Sequence, residues 1–83
     1  MNPVQLSRQD GTPPRVLVVD DEKSLAEAIG LSLTEAGWSV RVVHRGRDVA
    51  FAVQEFSPDV IVLDIMLPDI DGFEVLTRLR DAR

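Results

Sequence analysis

Two short apolar runs restrict this chain more than anything else in it. Residues 16–19 (VLVV) and 60–63 (VIVL) are continuous, rich in β-branched side chains, and end in acid: Asp20-Asp21 after the first, Asp64 after the second. A strand with one wet face alternates apolar and polar residues, whereas a strand covered on both faces does not. Runs this short and this uniform therefore point to strands inside a parallel sheet, with helices packed on either side.

The segments between supply those helices. Over residues 22–36, Leu25, Ala28, Ile29, Leu33 and Ala36 recur at helical spacing and share one face. Gly37 stands where a helix C-terminal glycine is expected. Residues 38–43 form a second strand through Val40, Val42 and Val43, and Gly46 breaks the chain after it. A second helix covers residues 47–56, with Val49, Ala52, Val53 and Phe56 on one face. Ser57-Pro58 ends it, because proline cannot continue a helix and restrains the residue before it. Pro68, Asp71 and Gly72 belong to a loop, and a third helix starts near Phe73 with Val75, Leu76 and Leu79 inward. The order β-α-β-α-β-α predicts an α/β fold: a doubly wound parallel sheet with right-handed crossovers.

Residues 1–14, punctuated by Gly11, Pro13 and Pro14, read as a disordered tail, and residues 15–83 as one folded unit. The net charge of −5 argues against a broad basic surface for nucleic acid. No stretch approaches the roughly 20 apolar residues of a membrane span, and the N-terminus lacks the apolar core of a signal peptide. The expectation is a cytoplasmic protein with no membrane partner. With no cysteine, thiolate metal sites and disulfides are excluded.

The acids matter most. In a sheet of strand order 2-1-3, the first and third strands are neighbours. Asp20, Asp21 and Asp64 then converge at the carboxyl edge, where strand order reverses and open α/β sheets place their ligands. Like charges so close must take up protons or be neutralised by a cation. Mg2+ fits, since it binds through one or two carboxylates and keeps several waters. It also offsets the repulsion an incoming phosphate meets. A carboxylate beside it can act as a nucleophile and form an aspartyl phosphate. The bland alternative is that Asp21 caps the first helix and Asp64 opens a turn. That reading weakens when three acids share one edge.

VLVVDDE at residues 16–22, followed by DVIVLDIMLPDIDGFEVL at 59–76, resembles the response-regulator receiver domains of two-component systems. The resemblance covers residues 15–83 and implies a flavodoxin-like fold, truncated here to three strands and three helices. It implies that Asp64 is the phosphorylated aspartate, that Asp21 binds Mg2+ directly, and that Asp20 holds the metal partly through water. It further implies that the backbone carbonyl of Met66 completes the protein ligands and that Pro68 and Gly72 turn the loop after the acceptor. A sensor histidine kinase is the implied donor, docking on the first helix near Glu22, Lys23 and Ser24. The wording around Asp64 is most similar to the branch that carries a winged-helix DNA-binding domain.

A complete receiver has five strands and five helices. The family's Ser/Thr after the fourth strand and Lys after the fifth match nothing here; Lys23, the only lysine, lies in the first helix. The family's usual dimer face is missing too, and no nucleic acid is expected to bind through this chain. Residues 60–63 should form an exposed apolar edge, so we expect a truncated product of poor stability.

The leading reading is a signalling phosphoacceptor rather than an enzyme, and an inactive fragment of a DNA-binding regulator is its main rival. A haloacid-dehalogenase-like phosphatase ranks lower: it normally carries a second aspartate two residues after its nucleophile, where this chain has Met66. A dinucleotide fold wants a Gly-rich turn where Asp20-Asp21-Glu22-Lys23 stands. Among other residues, His44 reads as a surface side chain and Trp38 as packing at the sheet edge. Phe51 and Phe56 read as helix packing. Arg41, Arg45 and Arg47 read as a solvated loop.

Overall fold

The computed structural model describes residues 8–64, 69 and 72–81, with backbone alone at 72 and 73. Its elements are β1 (Arg15–Val19), α1 (Lys23–Glu35), β2 (Ser39–Val43), a 3₁₀ turn (Gly46–Asp48), α2 (Val49–Phe56), β3 (Val60–Leu63) and α3 (Gly72–Asp81). The three strands run parallel in the order β2-β1-β3. This is the doubly wound arrangement that the apolar runs predict.

β1 occupies the middle and divides the core. Successive side chains of a strand point to opposite faces. Val16 and Val18 pack with Ala26, Ile29, Leu33, Trp38, Val40 and Val42 beneath α1. Leu17 and Val19 pack with Val49, Ala52 and Val75 beneath α2 and α3, where Ile61, Leu63 and Leu79 join them. β3 uses only one of its faces in this way. Its Ile61 and Leu63 pack inward, whereas Val60 and Val62 are 44% and 40% exposed on the opposite face.

α1 is fixed at both ends by local chemistry. Its N-cap is Glu22, whose carboxylate accepts from the backbone N–H groups of Ser24 at 3.3 Å and Leu25 at 2.7 Å. At the other end Trp38 N–H donates to the Leu33 carbonyl and Gly37 N–H to that of Thr34, both at 3.0 Å. With Gly37 at φ +103°, this is a Schellman motif. Leu33 and Trp38 supply its apolar contact.

The inward face of α1 is turned from the one expected. Ala26 and Gly30 are buried and Ile29 and Leu33 half-buried, whereas Leu25, Ala28 and Ala36 are exposed. The cause is close approach: a Cβ on Gly30 would stand 3.2 Å from Val42 Cγ2 and 3.4 Å from Val40 Cγ1. The smallest residues must therefore face the sheet, and the larger ones move to the flanks.

α2 buries the expected stripe, Val49 and Ala52 fully and Val53 and Phe56 in part. Phe51 does not pack as anticipated and is 66% exposed. The helix ends at Ser57, which takes the left-handed conformation at φ 51° and donates its N–H to Val53 at 2.9 Å. In α3, Val75 is buried and Leu79 half-buried, but Leu76 points outward.

Residues 8–14 follow the amino-terminal ends of the strands. Ser39 N–H donates to the Pro14 carbonyl at 2.9 Å. The Arg8 guanidinium reaches Asp59 Oδ2 at 3.0 Å, and the same oxygen accepts Arg15 N–H at 2.8 Å.

Candidate functional site

The sheet's hydrogen bonding continues one residue past the strand ends. Asp64 N–H donates to the Val19 carbonyl at 2.9 Å, and Asp20 N–H to that of Val43 at 3.2 Å. Both acids thus leave the sheet at the same edge, as the register of β1 with β3 requires. One carboxylate oxygen from each of Asp20, Asp21 and Asp64 lies within 4.8 Å of the others. Asp20 and Asp64 are half-buried, and Asp21 is exposed.

This donor set suits a hard divalent cation. All three side chains present oxygen, the atom that Mg2+ selects. With one oxygen from each within 4.8 Å of the others, Asp20, Asp21 and Asp64 are the residues that would hold such an ion, which would supply positive charge at the acid edge.

The neighbours of the acids explain why they converge. Glu22 rather than Asp21 caps α1, so the simple capping explanation of Asp21 does not hold. Asp20 is tied from both sides: its Oδ1 accepts Glu22 N–H at 3.0 Å, and its carbonyl accepts from His44 Nδ1 at 3.0 Å. His44 sits one residue beyond β2 and is half-buried, which corrects its reading as a plain surface side chain.

A second polar tie was also not foreseen. The Asp69 carboxylate accepts Gly46 N–H at 2.9 Å and Arg47 N–H at 3.0 Å, one on each oxygen. It fastens a residue of the segment between Asp64 and α3 to the start of the 3₁₀ turn. The Arg47 N–H, helped by that of Gly46, holds this carboxyl below the usual aspartate value of 3.8. The partners lie too far apart in sequence for a local capping pattern to reveal them. Met66 and Pro68 lie outside the described residues, and Gly72 is the first residue of α3.

Of the three arginines read as a solvated loop, Arg41 belongs to β2 and stands 5.1 Å from the centre of the Phe56 ring. Arg15 lies 6.0 Å from the same ring. Guanidinium groups at such distances are attracted to the ring face. Among the described residues, no helix is long and apolar enough to cross a membrane.

Comparisons with known proteins agree with this geometry. The model of the response regulator receiver domain family matches residues 16–83. Transcriptional regulatory protein TrcR of Mycobacterium tuberculosis is 46% identical over 78 residues, which cover 94% of this chain and 30% of that protein. Transcriptional regulatory protein AfsQ1 of Streptomyces coelicolor is 45% identical over 67 residues, covering 81% of this chain and 30% of that protein. The chain thus spans about a third of the curated relatives it matches.

Among solved structures, the signal receiver domain of a response regulator from Bermanella marisrubri superposes with a TM-score of 0.80 at 35% identity, covering 87% of this chain and 60% of that one. Response regulator TrrA from Thermotoga maritima, solved in complex with Mg(2+)-BeF, gives 0.78 at 31% identity, covering 84% of this chain and 61% of that one.

One expectation is corrected by these matches. The sequence alone argues for a phosphoacceptor that is not an enzyme. The family is one of phosphoacceptors, which take part in a group transfer, so the flat exclusion does not stand. The matches carry no statement of turnover either. With the sheet order, the edge of acids and a family match over residues 16–83, the chain belongs to the receiver domains of two-component response regulators.

Proposed function

We propose that residues 15–83 act as a phosphoacceptor module, taking a phosphoryl group from a sensor histidine kinase onto Asp64 in the cytoplasm. The observation that carries this reading is the convergence of Asp20, Asp21 and Asp64 within 4.8 Å. Asp20, Asp21 and Asp64 would hold Mg2+, with the Met66 carbonyl as a further ligand. The bound ion supplies positive charge that offsets phosphate against an acidic site.

The chain's own residues do the rest. A carboxylate oxygen of Asp64 attacks phosphorus, forming the O–P bond of an acyl phosphate. The P–N bond of the donor phosphohistidine breaks, and its electron pair returns to the imidazole. Asp64 needs no general base, because a carboxylate is already the nucleophilic form. The sheet tie from Asp64 N–H to Val19 holds the acceptor's backbone still during attack.

The test is direct. The chain is incubated with Mg2+ and a small phosphoryl donor such as phosphoramidate, and intact mass records the adduct. Wild type should gain one phosphoryl group only when Mg2+ is present, and Asp64→Asn should gain none. An adduct that survives in Asp64→Asn, or a wild type that is never labelled, would overturn the reading.

A further inference from the structure

Three hydrogen bonds fix Asp20, and two of them lead to the end of β2. Its N–H donates to the Val43 carbonyl at 3.2 Å. Its carbonyl accepts from His44 Nδ1 at 3.0 Å, and its Oδ1 accepts Glu22 N–H at 3.0 Å. A carbonyl only accepts, so Nδ1 carries the hydrogen whether the ring is neutral or charged. The contact spans 24 positions of sequence and is partly shielded from water.

The bonded carbonyl is the one that joins Asp20 to Asp21. A peptide unit is planar, so orienting that C=O also orients the N–H of Asp21 and the direction in which its Cα leaves. One imidazole just beyond β2 therefore constrains the backbone of both acids contributed by the β1 end. A side chain with no donor at this position would remove the bond that acts directly on that carbonyl. Asp21, which is exposed and does not cap α1, would then be the acid most free to drift.

We propose that His44 is a positioning residue for the acid cluster, its Nδ1–H holding the Asp20–Asp21 peptide so that the three carboxylates converge. The inference rests on the reading that the cluster takes a divalent cation, and its test separates the two. Partners that orient metal ligands typically matter about tenfold or more in metal affinity.

The experiment compares wild type with His44→Asn and His44→Leu by amide-resolved NMR, first without metal and then through a Mg2+ titration. Asn places an N–H donor close to the position of Nδ1, whereas Leu fills similar space without one. Without metal, His44→Leu should shift the amides of Asp21 and Glu22, and His44→Asn should leave them near wild type. In the titration, His44→Leu should bind Mg2+ about tenfold more weakly, with His44→Asn restoring most of the affinity.

A merely structural role predicts that affinity follows melting temperature in both variants, without rescue by the donor. Equal affinity in His44→Leu and wild type overturns the proposal, as does a His44→Asn variant as weak as His44→Leu. If wild type takes up no Mg2+, the metal reading fails by itself. The metal-free amides then decide for His44: unchanged Asp21 and Glu22 signals in His44→Leu overturn it, and the donor-dependent shift upholds it.

Discussion

Single side chains set the local electrostatics of this domain, and Asp69 shows how. Its two oxygens each take one backbone N–H at the start of the 3₁₀ turn. Those bonds favour the ionised form and hold its folded-state value below 3.8. The contribution is fully present above 3.8, the ordinary value, and is lost as pH falls through the lowered folded value. Asp69→Asn should therefore leave the acid side of the stability profile flatter than wild type, with no new dependence near neutrality. Urea midpoints recorded from about pH 2.5 to 7 would show it; parallel acid limbs in the two proteins would count against this tie.

At the scale of elements, the ends of α1 are the clearest case of sequence dictating structure. Gly37 is favoured because φ +103° strains residues with a Cβ. Gly37→Ala should cost about 1–2 kcal/mol, read from urea denaturation, while leaving the acid edge at the other end of the helix intact. A loss below a few tenths would mean that the turn reshapes around alanine.

The glycine, the apolar runs and the Ser57-Pro58 stop were all legible, because each acts on its nearest neighbours. So was the placing of Asp20, Asp21 and Asp64 at one sheet edge, which follows from strand order. The rotation of α1 was not legible. Helical spacing marks Leu25 and Ala28 as core, and only the nearness of Val40 and Val42 to Gly30 reverses this. Phe51 and Leu76 were misplaced for a related reason: apolar character proposes burial, but the number of layers above a position decides it. The ties made by His44 and Asp69 were not legible because each bonds a partner more than 20 residues away in the chain.

The whole molecule is a small sheet whose two faces are unequally covered. On the side of α2 and α3, β3 contributes Ile61 and Leu63 to a packed layer. On the side of α1, Val60 and Val62 face outward from the last strand of the described sheet. Exposed apolar strands at a sheet edge recruit other chains. The 83-residue chain should thus associate as concentration rises. Val62→Lys should suppress that association in sedimentation runs with little loss of stability, since Val62 is already 40% exposed. Unchanged association in this variant would place the sticky surface elsewhere.

The acid edge also joins strands of unequal security. Asp20 and Asp21 hang from the innermost strand, whose four apolar side chains are at most 1% exposed. Asp64 hangs from β3, which has a strand on only one side in the described sheet. An ion shared between them would act as a staple across the β1–β3 seam. Ligands stabilise the form that binds them, and here the gain would fall mostly on the strand most ready to leave. Loading the site and keeping the sheet shut would then be one event.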